Sequence, residues 1–446
     1  MEILVFRRNK YIHNISMMDV LILVASLVAA AAAFGPSEPD IMTRHLLPDA
    51  RCLDGSPGVY FYRASTNKSV TQWAFHLEGG GGCSSKKKCE RRTKTRLGTS
   101  TLDKPTISSP NGFLSNNATS NPDFYQFNMV FVRYCTGDEH KGQRTTAPKE
   151  DYPKGTWGFY FSGHNNLKHI IADLKSSTAI ASASHILVGG SSAGGCGVLA
   201  NADFIAESFP NTVVKAAPTG GWFMAGNYPD QVAAGRPHAF PSFYQDFSVG
   251  RTTNYPLLEK LGAVNPQVLF QSYTGPPVAS GSNDSACKAH YTNPSSKEAD
   301  GDFICYSAHA LYPFIKTPMF IMENRYDQNQ INNVLHMPKP AKITTKEELS
   351  FVAYVGLGML NSTHQVVASS KPNDGLFLSS CFTHTMGLGM PGTTVVGGKT
   401  SGQALADWFF DRVPAKTNYI DTCDQANGNL PCNPTCPQFL PGRPGH

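Results

Sequence analysis

The chain has 446 residues and a formal net charge of +5, with 41% apolar and 16% charged residues. That apolar content supports a sizeable core, and the positive balance is too mild to argue for a nucleic-acid partner. No H-x-x-x-H or paired C-x-x-C pattern occurs, so no metal or other cofactor is expected.

Arg7, Arg8 and Lys10 precede an apolar run from Val20 to Ala33, which ends in alanines before Gly35-Pro36. A basic segment, an apolar run and a small-residue cleavage site make residues 1–33 a secretory signal peptide. The run is short for a membrane span of about 20 residues, so no span is expected after its removal. Secretion to the extracellular space or cell wall predicts oxidised cysteines and glycans. The chain has 11 cysteines, which in that compartment read as a disulfide framework with one left over. Sequons stand at Asn67, Asn117, Asn283 and Asn361, in polar stretches read as loops.

Residues 45–446 read as a single domain. Near-continuous apolar runs at Trp73–Leu77, Met129–Tyr134, His185–Gly189, Val213–Ala217 and Pro318–Met322 predict strands buried on both faces. Helical patterns cover Asn165–Leu174, Ala193–Ser208 and Ala404–Arg412. The alternation implies an α/β fold of the α/β-hydrolase type, a mostly parallel sheet flanked by helices. Thr274–Asp302, rich in Gly, Ser, Pro and Asn, reads as an inserted loop or cap. The cysteine-bearing tail after Val413 reads as irregular.

The first chemical signal is the glycine-rich "FHLEGGGGC" of Phe75–Cys83. Glycines after a strand expose backbone N–H groups without hindrance, as an oxyanion-binding loop requires, and no Walker-type Lys-Ser/Thr follows. The neighbouring "KKKCERRTKTR" reads as a solvated charged loop. The second signal is Gly190-Ser191-Ser192-Ala193-Gly194, a G-x-S-x-G placed between a predicted strand and a predicted helix. In that context Ser192 is the candidate nucleophile and Ser191 fills a variable position. Gly80, Gly81 and Ala193 are the candidate oxyanion donors.

The acid and base of such a site follow the serine in the order Asp/Glu, then His. Asp327, just past the strand in "PMFIMENRYDQNQ", is the candidate acid, ahead of Glu323, which falls on or at the end of the strand itself. Among His336, His364, His384 and His446, the candidate base is His384 in "LFLSSCFTHT". His336 is too near Asp327 in sequence, His364 lies in a sequon, and His446 is the last residue.

Together "HLEGGGGC", "TRLGTS", "FVRYCTGD", "GGSSAGGCGVL", "PMFIMENRYDQNQ" and "LFLSSCFTHT" resemble the blocks of the pectin acetylesterase family, which includes the Notum carboxylesterases. The blocks keep the family's order from Phe75 to about Thr385. The resemblance implies an α/β-hydrolase with a Ser-Asp-His triad, whose roles fall on Ser192, Asp327 and His384. It implies a secreted serine carboxylesterase that removes acetyl groups from pectin-like polysaccharide. The alternatives are a Notum-like hydrolase of lipid esters on protein and a non-catalytic binding protein on this fold. The chain departs from the family at Gly82, where plant members usually carry Trp, and at Thr385, where a cysteine is common. The aromatic residues that follow two glycines in the Notum type are also missing.

Cys196, among small residues on the helix after the nucleophile, is the expected free thiol. Cys83 pairs with Cys89, Cys52 with Cys135, and Cys287 with Cys305. Cys381 then bonds to one of Cys423, Cys432 and Cys436 in the tail.

Overall fold

The computed structural model describes residues 40–83, 85–108, 112–151, 155–223, 284–291, 305–334, 346–386, 394–414, 417–422 and 432–437. The segment expected to be a signal peptide and most of Thr274–Asp302 lie outside these residues, as do Asn283, His336 and His446. All the elements below fall in the unit Ile41–His446.

Twelve strands are described. They are β1 Ile41–Arg51, β2 Pro57–Arg63, β3 Gln72–Leu77, β4 Thr106–Ser108, β5 Asn128–Val132, β6 His185–Ser191, β7 Val213–Thr219 and β8 Phe320–Asn324. β9 Gly375–Ser379, β10 Val395–Val396, β11 Lys399–Thr400 and β12 Asn418–Ile420 follow. The helices are α1 Lys86–Arg92, α2 Gly163–Ser177, α3 Ala193–Ser208, α4 Ser285–Tyr291, α5 Ala308–Leu311, α6 Lys346–Ala368 and α7 Ser401–Phe409. Ten strands form one sheet in the order β12-β9-β8-β7-β6-β3-β5-β2-β1-β4, and β10 and β11 form a separate hairpin. Strands from β12 to β5 run parallel, whereas β2, β1 and β4 add an antiparallel edge.

The continuous apolar runs have the cause expected of them: both faces of the parallel strands are covered. Ile186 and Val188 of β6 face one cluster with Leu167, Ile170 and Leu174 of α2 and Val198 and Ile205 of α3. Leu187, between them, faces a second cluster with Leu405, Trp408 and Phe409 of α7. The alternation repeats in β9, with Leu376 and Leu378 on one side and Phe377 on the other. Burying each such side chain contributes about 1.5–3 kcal/mol.

The register carries the functional consequence. Leu77 of β3 pairs with Gly190, Ser191 of β6 with Thr219, and Asn324 of β8 with Ser379. The carboxyl ends of β3, β6, β7, β8 and β9 thus share one edge, where open α/β sheets bind their ligands.

Local reading fails in identifiable places. "KKKCERR" is helix α1, not a loop; Ser85 caps it by accepting from Lys88 N, and its lysines are solvated as expected. Asn361 is exposed, but it lies on α6 rather than in a loop. Asn67 and Asn117 do occupy exposed loops. The last helix begins earlier than Ala404 because Thr400 and Gln403 form a reciprocal capping box. The tail is not wholly irregular, since β12 pairs in parallel with β9. No helix among the described residues is long and apolar enough to cross a membrane.

The expected disulfides Cys52–Cys135, Cys83–Cys89 and Cys287–Cys305 are all present, and Cys196 is free and buried. Of the connectivities open to the tail, the structure takes Cys381–Cys436.

Candidate active site

Ser192 stands at the N-cap of α3 with φ 57° and ψ −120°. A non-glycine residue is rarely held in that left-handed conformation unless its surroundings enforce it. Here Ser191 is still paired in β6, and Ser192 N donates to Thr219 O at 2.9 Å. The next helix begins at once with Ala193, so the chain turns within a single residue and lifts the Ser192 hydroxyl off the sheet edge.

Asp327 and His384 arrive from just past the ends of β8 and β9, on the far side of β7 from the serine. Ser192 Oγ lies 2.7 Å from His384 Nε2, and His384 Nδ1 lies 2.6 Å from Asp327 Oδ2. Because a carboxylate only accepts, Nδ1 carries the proton and Nε2 is left to accept from the serine. Asp327 is buried, and its second oxygen accepts from Gln330 N at 2.7 Å. Burial disfavours the charged imidazole of His384, but the charge and hydrogen bond of Asp327 outweigh it, and the histidine pKa is raised above 6.5.

Glu323 lies on β8 and is fully buried. Its oxygens accept from Trp222 N at 2.9 Å and Asn324 N at 3.1 Å. Burial, then the charge of Asp327, pushes its pKa well up. The two buried carboxyl groups thus have different work: Glu323 braces the backbone at Trp222 and Asn324, and Asp327 holds the histidine. His364, by contrast, is exposed on α6.

The glycine loop lies against the serine. A Cβ on Gly79 would meet Ser191 O at 2.4 Å and Ser192 Cβ at 3.2 Å, so the loop approaches as only glycine permits. Gly80 and Gly81 follow with φ 135° and 63° and are exposed. Arg92 of α1 donates to Gly80 O at 2.9 Å and Leu97 O at 2.8 Å, and its guanidinium stacks on Tyr134 at 4.7 Å. Ala193, 1% exposed, is the first residue of α3, where backbone N–H groups have no helical partner.

Several residues that position the site escaped the sequence reading. Thr219 Oγ1 donates to Met386 O at 2.9 Å, and the same oxygen faces Met386 N at 3.2 Å. Gly220 has φ 56°, and a Cβ there would lie 2.4 Å from His384 O. The end of β7 therefore braces the serine turn on one side and the histidine loop on the other. Phe223 packs on the imidazole with ring centres 5.9 Å apart. The signal was "PTGG" after a strand, a small-residue stop like the one at Ser192.

The sequence pattern described as Pectinacetylesterase matches residues 37–437. Pectin acetylesterase 5 of Arabidopsis thaliana is 30% identical, over 87% of this chain and 82% of its own length. The mouse (Mus musculus) palmitoleoyl-protein carboxylesterase NOTUM is 25% identical, over 88% of this chain and 71% of its own. Among solved structures, the Wnt deacylase Notum from Drosophila superimposes with a TM-score of 0.67 at 23% identity, covering 89% of this chain and 99% of that one. That likeness shows a shared fold.

Proposed function

The chain belongs to the pectinacetylesterase family and is a carboxylic ester hydrolase, and from that premise we propose that it is a secreted serine esterase releasing acetate from pectin-like polysaccharide. The observation that carries the mechanism is the unbroken run of hydrogen bonds from Asp327 through His384 to Ser192.

Ser192 Oγ attacks the acetyl carbonyl while His384 Nε2 takes its proton. Asp327 holds the imidazole in the required tautomer and stabilises the imidazolium as it forms. Backbone N–H groups of Gly80, Gly81 and Ala193 receive the negative charge that develops on the carbonyl oxygen. Each donor so placed is worth about a hundred- to a thousandfold in rate. His384 then returns the proton to the departing sugar hydroxyl, leaving acetyl-Ser192. Water, deprotonated by the same histidine, releases acetate. The disulfides and the exposed sequons at Asn67 and Asn117 support an extracellular site of action.

The test is acetate release by the purified protein from acetylated pectin, acetylated xylan and a long-chain acyl ester, side by side. Pectin should be the best substrate. Preference for the long-chain ester would replace this reading with the Notum-like one, and inactivity on all three would leave a binding protein.

A further inference from the structure

A second cluster of ionisable groups flanks the glycine loop, and the mechanism above does not use it. Glu139 and Lys141 are 6% and 3% exposed and pair at 3.1 Å. Lys141 Nζ also donates to Tyr306 O at 3.1 Å and stands 3.4 Å from the centre of that ring. The Tyr306 hydroxyl and the Cys196 thiol lie close enough to feel the charge of the Glu139 carboxylate, while the thiol itself donates to Gly221 O at 3.5 Å.

The position of this carboxylate is set from two sides. Cys196 lies one helical turn past the candidate nucleophile, its N–H donating to Ser192 O at 3.0 Å. On the loop side, a Cβ on Gly82 would stand 3.9 Å from Glu139 Oε1. Glu139 therefore occupies the wedge between the glycine loop and the first turn of α3, the two elements that flank Ser192.

The backbone that aims it there is strained. Glu139 and His140 are consecutive non-glycine residues with φ 56° and 60°. Tyr134 Oη accepts from Glu139 N at 2.7 Å, and Asp138 accepts from His140 N at 3.2 Å and Gly163 N at 2.8 Å. Strain of this kind persists where surroundings over-determine it, and it collects at functional sites. Nor does stability call for the pair, since apolar replacements of buried ion pairs are often no less stable.

We propose that Glu139, locked by Lys141 and Tyr306, is the wall on the acyl side of the site and restricts the ester to acetyl-sized acyl groups. The proposal rests on the serine-esterase reading. Among the described residues a Cβ on Gly81 would meet nothing within 4 Å, so none of them blocks the approach of an ester beside the loop. Further methylenes would have to displace a buried, fixed ion pair and would offer it no hydrogen bond in return.

The experiment compares 4-nitrophenyl acetate, butyrate and octanoate in the wild type and in the Glu139→Leu/Lys141→Met double variant, which removes both charges and orphans neither. The wild type should favour acetate. The octanoate-to-acetate ratio of kcat/KM should rise at least about tenfold in the double variant, the scale on which pocket size sets selectivity. Tyr306→Phe, which removes one hydroxyl, should move the ratio in the same direction by less, and it serves if the double variant does not fold. An unchanged ratio in a folded variant overturns this inference alone, whereas a wild type that prefers octanoate overturns it together with the acetyl-ester reading. A wild type inactive on all three esters overturns the esterase reading with it.

Discussion

Ser192 Oγ and His384 Nε2 meet at 2.7 Å across 192 positions of sequence, and Ser191, the adjacent serine, stays paired with Thr219 in the sheet. Ser192→Ala should therefore lower kcat by four to six orders of magnitude, roughly the cost of losing a triad member. Ser191→Ala should keep most of the activity. His384→Ala and His364→Ala should separate in the same way, because only His384 reaches the serine. Steady-state hydrolysis of a chromogenic acetate reads all four, and near-normal turnover by Ser192→Ala would remove the serine from the mechanism.

Much of this site was legible in the sequence because its chemistry is local: a serine between a strand and a helix, glycines after a strand, an aspartate just past another. What was hidden depended on packing. β1 carries Pro48 and several charged residues, which disfavour a strand reading; it sits near the sheet edge, with a register shift between Leu47 and Arg51 that accommodates them. α6 contains Gly356 and Gly358, poor helix formers. A Cβ on Gly356 would strike the Tyr326 ring at 2.2 Å, so the glycine serves the loop that bears Asp327. Glu139 was equally silent, since nothing near it in sequence indicates that Cys196 and Gly82 are its neighbours.

In the proposed mechanism Asp327 sets the working pH of His384. The base acts in its neutral form, and its pKa is raised above 6.5, so activity should fall as pH drops through a value on the alkaline side of 6.5. In Asp327→Asn the raising charge is gone and burial acts unopposed. The acidic limb of kcat/KM should move to lower pH, with kcat down by about 10⁴ because the tautomer is no longer enforced. A pH–rate profile in which the limb stays put would mean that Asp327 does not govern the histidine.

The tail should matter for turnover as well as for stability. Cys381, three residues before His384, is bonded to Cys436. Asp421, just after β12, accepts from Ser380 Oγ at 2.8 Å and Asn433 Nδ2 at 2.7 Å. A chain ending after Asp411 loses these ties and β12 itself, which leaves the histidine loop free to drift. Small misplacements of a catalytic group cost about a hundredfold. The truncated protein should be inactive even where it is secreted; full turnover would show that the tail does not position the base.

Two buried histidines predict acid sensitivity of the fold. Burial holds the pKa of His76 at about 4, with the charge of His140 adding to it. Burial likewise holds His140 at about 4, against its hydrogen bond to Glu78 O. The unfolded chain takes up these protons near pH 6.5 and the folded one only near 4. Stability should therefore be fully present above about 6.5 and decline towards 4, by up to about 3 kcal/mol per histidine. Urea unfolding at a series of pH values should show the loss, and His76→Phe should remove about one proton from the slope.

Charge around the glycine loop predicts how the enzyme meets a polymer. Lys86, Lys87, Lys88 and Arg91 are exposed on α1, with Lys94 and Arg96 just beyond, while Arg92 turns inward to hold Gly80 O. The disulfide Cys83–Cys89 fixes this cationic helix to the loop beside Ser192. A galacturonate chain carries carboxylates that these cations attract, whereas a neutral chromogenic acetate carries none. Raising ionic strength from about 0.01 M to about 1 M shortens the screening length from about 30 Å to about 3 Å. KM for acetylated pectin should rise several-fold over that range while hydrolysis of the chromogenic acetate barely changes. In Lys86→Gln/Lys87→Gln/Lys88→Gln the pectin KM should already be high at low salt and respond less to it. Equal salt responses for the two substrates would leave those lysines as solvated surface with no part in binding.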